Sequence, residues 1–476
     1  MNINNKISYS KFLLIFVFLQ ITVSCKKFVQ VDPPVTSVSE ASVYSTNSNA
    51  SAVLTGMYNI ISSSGTFTGG VSGISVIAGL TADELIGYPV GNSIVMEAYP
   101  NALISTDAPF WDRIYVQCIY PSNAAIEGIS KSTTLTQSVQ QQLLGEAKFM
   151  RALAYFYLVN FFGDIPLITT TDFSKNQLAF RNAQAEVYNQ IISDLKNAQI
   201  LLSPNYLDAT LLNTTTERVR PTQWAATALL ARVYLYTHDW INAEKQSSTI
   251  ISNTTQYKLV SSLNGVFIKN STEAIWQLQP VISGRNTEDG NAFILSSIPT
   301  SANPVSLSSS LLNSFELNDA RKTNWINSYT SGTQIFYFPY KYKIKTSTST
   351  PSEYLMVLRL AEQYLIRAEA ENDQGNMASA IADLNTIRNR AGLANYSGLM
   401  DQNSVQAAIQ HERQVELFTE WGHRWLDLKR TQKIDSVMTI VSPQKGGTWK
   451  SSSQLFPLPL QPLQYDHNLT QNPGYN

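Results

Sequence analysis

The chain has 476 residues, of which only 14% are charged, and a formal net charge of -1. Length alone allows about two or three domains, and the balanced charge excludes a nucleic-acid partner, which requires a basic face. Two cysteines cannot build a disulfide framework.

Residues 1–24 read as a bacterial-type lipoprotein signal peptide. Lys6 and Lys11 give the positive start, Phe12 to Val23 the apolar run, and Ser24 the small residue before Cys25. The run is shorter than the about 20 apolar residues of a spanning helix. Cys25 is then the lipidated first residue of the mature chain, and the lipid holds the protein on a membrane without crossing it. Thr22 stands where such signals usually carry Leu, and Lys26 and Lys27 follow the cysteine.

A helix is predicted after Val31-Asp-Pro-Pro34, with Ser39 as its N-cap and Val43, Tyr44, Val53, Met57 and Ile60 among its apolar positions. Residues 62–75, rich in Gly, Ser and Thr, are predicted loop. So are residues 86–110, where Tyr88, Tyr99 and Phe110 recur without period; long loops of this kind are usually functional. A helix follows from about Trp111 to Ile129, with Cys118 as a small core residue.

Glu146 to Leu167 has apolar or small residues at Ala147, Met150, Ala154, Tyr157 and Phe161, with Leu153, Phe156 and Leu158 widening the stripe. This is a helix buried on several sides. Gly163 and Pro166 close it in a tight corner. Arg151 and Asp164 need partners there, each other or backbone groups.

Val187, Ile191, Leu195 and Ala198 mark another helix. Pro221 then opens a helix-turn-helix in which Ala231 and Ala243 lie twelve apart; Ala368 and Ala380 repeat the frame. Small residues at this spacing are similar to tetratricopeptide repeats, where they let paired helices approach closely. Between these units, residues 255–350 are loop-rich, with strand-like alternation at Ile275 to Gln279 and Ile335 to Pro339. One last helix, about Ser404 to Arg430, places Val415, Phe418, Trp421 and Trp425 inside and pairs Glu420 with Arg424 at i,i+4.

Several of these features occur together in a fixed order. They are Cys25, Glu146-Ala-Lys-Phe-Met-Arg-Ala152, Phe161-Phe-Gly-Asp-Ile-Pro166, Glu412-Arg with Glu416-Leu, Gly422-His-Arg-Trp-Leu-Asp-Leu428 and Asn472-Pro-Gly-Tyr475. The set resembles the SusD/RagB family of Bacteroidetes outer-membrane nutrient-binding lipoproteins. The resemblance implies a mainly α fold in one domain over 25–476. Helical-hairpin scaffold units cover about 140–252 and 355–391. A loop-rich, minor-β portion, about 62–110 and 255–350, carries the ligand surface. It also implies a non-enzymatic protein, lipid-anchored at the outer membrane and facing outside. Such a protein captures oligosaccharide or polysaccharide for a TonB-dependent, SusC-like transporter partner. Many members carry acidic residues where Lys26 and Lys27 stand. The hallmark residues Glu416, Arg424 and Asp427 are expected to be structural, satisfied by one another or by the 163–166 corner.

Aromatic side chains on loops are the candidate ligand contacts, because sugar C–H faces stack on rings while hydroxyls take hydrogen bonds. These are Tyr88, Tyr99, Trp276, Trp325, Tyr329 and Tyr337, with Asn92 and Asn101 as polar partners. Trp224, Trp240, Trp421 and Trp425 have helical spacing and are expected in the core. No metal, cofactor or catalytic group is expected. His411-Glu412 begins like a zinc-protease helix, but Val415 occupies the position of the second His. Asp83-Glu84 and Glu288-Asp289 are adjacent carboxylates, expected to be solvated; a glycosidase needs two carboxyls roughly 5–10 Å apart across a sugar. The competing readings are a peptide ligand in the same assembly, a surface glycosidase, or a helical interaction scaffold.

Overall fold

A computed structural model describes residues 43–63, 67–68, 70–347 and 349–475. Cys25, the leader and the proposed Ser39 cap lie outside the described residues. From Tyr44 onward the chain forms one compact unit.

The Gln137–Phe162 helix is the centre of the fold. From Gly145 to Gly163 only Lys148 and Asn160 escape full burial. Its rings reach in several directions: Phe149 meets Trp276 at 5.0 Å, Tyr157 meets Trp421 at 5.9 Å, and Phe161 meets Phe456 at 4.8 Å. Gly163 ends it at φ 76°, ψ −128°, a conformation that strongly favours glycine. Arg151 pairs with Asp194 through bonds of 2.8 and 2.7 Å, while Asp164 accepts from Gln184 N at 3.1 Å. The two therefore do not pair with each other.

Helices stack outward from this centre in hairpin order. Gln137–Phe162 packs on Gln184–Leu201, which packs on Gln223–Tyr236, which packs on Trp240–Ile251. The last of these packs on Leu360–Asp373, itself paired with Met377–Arg390 and Gln402–Leu417. Ala231, Ala243, Ala368 and Ala380 are all fully buried, as close helix approach requires. The scaffold thus continues across the 252–359 insertion as if it were uninterrupted.

The insertion leaves and returns through one antiparallel pair, Ala274–Leu278 with Leu355–Arg359. Both strands are buried on both faces, so the apparent alternation at Ile275 to Gln279 does not mark a solvent face. Gln277 is tolerated there because its amide bonds Asn270 N and Ile268 O. Leu85–Gly87 pairs with Val305–Leu307, and Ile326–Ser331 forms a hairpin with Gln334–Pro339 around Gly332.

The expected loop at 86–110 contains a short helix, Ser93–Ala98, with Asn92 at its N-cap. The helix beginning at Trp111 runs to Lys131 through a π turn at Tyr115–Ile119, which precedes Pro121 and its missing N–H. Cys118 is fully buried, and burial pushes its thiol pKa up.

The predicted Ser404–Arg430 helix is two helices, Gln402–Leu417 and His423–Arg430. Between them Thr419 (φ 53°), Trp421 (φ 50°) and Gly422 (φ 75°) adopt left-handed backbone. The break redirects the charges. Glu420 bonds Arg359 and Lys341, and Arg424 bonds Asp83, so the expected Glu420–Arg424 pair is absent. Glu416 is surrounded by Arg321, Arg359 and Arg390, and Asp427 by Arg413 and Arg430. The hallmark charges are structural, but through other partners than one another or the 163–166 corner. That corner is held by Asn472, whose Nδ2 donates to Phe162 O at 2.9 Å and Phe456 O at 2.8 Å.

Asp83, Glu84, Glu288 and Asp289 are buried, not solvated. The 418–422 break explains half of this: Thr419 N donates to Glu84 Oε1 at 3.1 Å, and Trp421 N reaches Ser75 Oγ, which donates to Asp289 at 3.0 Å. Trp421 and Trp425 are core, but Trp224 and Trp240 are half-buried at helix starts.

Candidate functional site

Two surfaces in the loop-rich portion combine exposure with ligand-binding chemistry. The first is the hairpin 326–339. Strand alternation turns Phe336 and Phe338 inward with Leu295, packed by Tyr88, Tyr329, Ile294 and Tyr340. Tyr88 stands edge-on to Phe336 at 5.7 Å, with its hydroxyl 3.0 Å from Ser306 Oγ. The opposite strand face presents Ile335 and Tyr337, with Thr330 and Ser328 directly across. Tyr337 is 38% exposed. This face is neutral and ring-bearing, and it rests on a packed aromatic layer.

The second is a polar cavity of about 350 Å³ where the 86–110 segment meets the Trp111 helix. Ser72, Ser93, Thr106, Asp107, Asp112 and Arg113 supply its polar lining. Asn92 stands just before it and accepts from Val95 N at 3.4 Å, fixing the short helix that carries Ser93. Phe110, at φ 73°, turns the chain at its edge and buries its ring against Phe161. Burial and a hydrogen bond with Asp107 push Glu97 up to about 7, and burial also raises Asp112. The cavity lining thus carries the carboxyls of Asp107 and Asp112 and the guanidinium of Arg113, while Glu97, which bonds Asp107, is not part of that lining.

Of the residues anticipated from sequence, Tyr88 and Tyr329 pack on the inner face of the hairpin and Tyr337 stands on its outer face, so the three do not form one surface; Asn92 caps the short helix whose Ser93 lines the cavity. Tyr99 is half-buried, its ring 5.5 Å from the Lys445 ammonium. Three expectations are corrected. Trp276 and Trp325 are fully buried, their indole N–H groups donating to Val219 O at 2.9 Å and Leu263 O at 3.0 Å. Asn101 is buried at φ 60° and donates to Thr81 O at 2.7 Å. All three brace the scaffold, because indole rings and a left-handed Asn serve interior packing and turns as readily as contact. Asp107, Asp112 and Arg113 were not anticipated; their one sequence signal is charge at the junction of an irregular segment and a helix.

Among the described residues no group of three His, Cys, Asp or Glu is placed to hold a metal ion. His411 bonds Ser314 O at 2.7 Å and Glu412 pairs with Arg321.

Comparison with known proteins agrees with this architecture. A model of the SusD family matches residues 285–475, and one described as starch-binding associating with outer membrane matches 91–235. SusD-like protein P25 of Formosa agariphila is 24% identical over 535 residues, covering 98% of each chain. The starch-binding protein SusD of Bacteroides thetaiotaomicron is 23% identical over 445 residues, covering 73% of this chain and 74% of its own. A crystal structure of a SusD homologue from the same species superposes with a TM-score of 0.77 at 21% identity, covering 92% of this chain and 98% of that one. A laminarin-binding SusD-like protein superposes at 0.75 with 23% identity, covering 91% and 100%. The chain is thus similar to the SusD family in two separate stretches of its sequence and shares the fold of SusD-like proteins.

Proposed function

We propose that this is a non-enzymatic surface lipoprotein, anchored through Cys25 at the outer membrane and facing outward, that captures oligosaccharide and delivers it to a TonB-dependent transporter. Residues 1–24 would be removed and 25–476 would act as one domain. The observation that carries the reading is the neutral Tyr337 face together with the Asp107–Arg113 cavity. Rings on a rigid backing take sugar C–H faces, and paired carboxyls beside a guanidinium take hydroxyls. The starch- and laminarin-binding names of its relatives support a glycan over other ligands. The peptide reading keeps one specific support, the charges of Asp112 and Arg113, which could meet peptide termini.

Affinity gels cast with starch or laminarin, beside calorimetry with peptide mixtures, test the ligand. Retardation by a glycan supports the proposal, whereas heat only with peptides replaces it. Recovery of a barrel transporter with the tagged protein from solubilised outer membrane tests the partner; repeated recovery without one removes that part. Glu84 and Asp289, pushed up by burial to about 8 and about 7, are the carboxyls a glycosidase reading would invoke. They hold Thr419 N and Ser75, and hydrolysis of the bound glycan is not expected.

A further inference from the structure

The segment 172–180 carries three large apolar side chains into solvent: Phe173 is 77% exposed, Leu178 66% and Phe180 60%. We propose that this excursion is a membrane-contact loop, which rests its rings in the lipid surface that holds Cys25 and so orients the tethered protein. Only the Cys25 anchor is taken from the function proposed above; no residue of the ligand surfaces takes part.

Hydrogen bonds lay the chain before the excursion along the Trp111–Lys131 helix. The Tyr115 hydroxyl donates to Pro166 O at 2.7 Å and Asn123 Nδ2 to Ile168 O at 3.0 Å. Glu127 then accepts from Thr170 Oγ1 at 2.7 Å and Thr171 Oγ1 at 2.6 Å. The chain thus advances toward the Lys131 end and turns through the short helix Phe173–Asn176. It returns to Asp164, whose carbonyl accepts from Arg181 Nε at 2.7 Å. The start of the compact unit lies at the same end of that helix. The Tyr44 ring packs on Gly128, where an added Cβ would come within 2.1 Å of it. Ser132 Oγ donates to Tyr44 O at 2.7 Å, and Thr134 Oγ1 donates to Ser45 O at 2.8 Å. From Glu127 to Lys131 a helix rises only about 6 Å. The apolar tip and the point where the tether joins are therefore neighbours.

Eighteen residues, 26–43, separate Cys25 from Tyr44. Fully extended they reach at most about 65 Å. A lipid on Cys25 keeps this end near the membrane without fixing how the protein stands on it, and a second contact is needed for that. The chemistry of the tip suits lipid. Two Phe and one Leu protrude as separate knobs from nine residues. A protein partner needs about 800 Å² of packed surface on each side, whereas acyl chains close around a knob without a matching hole. Aromatic rings are also favoured at the membrane–water boundary. The nearby charges are matched locally: Glu127 stands four residues before Lys131, and Lys175 is 3.8 Å from Asp172. The contact is therefore apolar and needs no anionic lipid. Among the described residues no helix is long and apolar enough to cross a membrane, so the loop lies in the interface and does not span it.

The test is flotation with phosphatidylcholine vesicles, using the full mature chain with Cys25→Ser. This chain has no lipid of its own, so the result does not depend on whether cells acylate Cys25; palmitate labelling of the parent protein reads that separately. Flotation at millimolar lipid is expected, equal at about 50 and about 500 mM salt. It should be about tenfold weaker in Phe173→Ser and in Phe180→Ser, each losing one apolar side chain from the lipid. Leu399→Ser, at a residue 73% exposed in another loop, should float as the parent does. Unchanged melting of all three variants separates lost contact from lost fold. No flotation at any lipid concentration would overturn the loop as a membrane contact and leave the Cys25 anchor standing. Equal flotation of Phe173→Ser, Phe180→Ser and the parent would overturn it too. Flotation that requires phosphatidylglycerol and vanishes in salt would replace apolar insertion by charge attraction. A parent that sediments as a dimer, and as a monomer once Phe173→Ser is made, would assign the patch to a second copy of the chain.

Discussion

Arg424 grips Asp83 through two hydrogen bonds of 2.7 Å, from Nε and from Nη2, across 341 positions of sequence. Burial alone would raise the Asp83 carboxyl, but the guanidinium more than offsets this and holds it below its ordinary value. Asp83→Asn leaves Arg424 buried without its counter-charge. Urea unfolding should show about 3–5 kcal/mol less stability. A loss below about 1 kcal/mol would mean the pair behaves as a solvated one.

The Glu362–Arg232 pair sets an acid limit. Burial raises the Glu362 carboxyl, yet Arg232 and then His423 bring it down to about 2 from 4.5. A depressed carboxyl contributes stability above its unfolded value and loses it as the pH falls through the folded one. The melting temperature should therefore drop between pH 4.5 and about 2. Glu362→Gln should melt lower at neutral pH and show a flatter profile in that window. Parallel profiles for the two proteins would contradict the assignment.

Glycine matters most where backbone and space coincide. At Gly422, φ is +75° and an added Cβ would lie 2.8 Å from Ala78 Cβ. At Gly375, φ is +83° but nothing lies within 4 Å. Gly375→Ala should lose about 1–2 kcal/mol from strain alone. Gly422→Ala should lose distinctly more, because the 418–422 turn must lift from the Ile74–Thr81 helix. Equal losses by denaturant titration would show that the turn is loosely seated.

Ligand contact and packing separate cleanly at two aromatic residues. Tyr337→Ala should change stability by no more than about 0.5 kcal/mol while weakening glycan retardation severalfold. Trp276→Ala should lose about 3–5 kcal/mol. If Tyr337→Ala binds as well as the parent, the outer hairpin face is not the ligand platform.

Much of the scaffold was legible in the sequence because helix periodicity and paired alanines are local signals. The Glu146–Phe162 stripe, the Gly163 stop and the Ala231/Ala243 and Ala368/Ala380 frames all have the predicted roles. The break at 418–422 was not legible. Thr419 and Trp421 are ordinary helix residues whose left-handed backbone is imposed by docking on a helix more than three hundred residues earlier. The same long-range contact buried Asp83 and Glu84, which read locally as surface charge. For the site, neutral ring-bearing loops were recognisable, but local reading cannot tell a ring that backs a loop from one that faces out. Trp276 and Trp325 have the composition of contacts and the position of core. Asp107, Asp112 and Arg113 form one wall only because Phe110 turns the chain.

The Asn472 clamp also bears on the order of events during synthesis. Asn472 closes the carbonyls of Phe162 and Phe456, and Arg424 neutralises Asp83, yet both arrive with the last portion of the chain. Until then the emerging polypeptide carries Asp83 and Glu84 without Arg424 and Thr419, and a central helix without its terminal clasp. Such a chain cannot complete its interior domain-fashion from the N-terminus; its closing contacts are among the longest in sequence and form late. A stop codon in the final helices would therefore release a collapsed, unclosed chain and not a shortened binding protein.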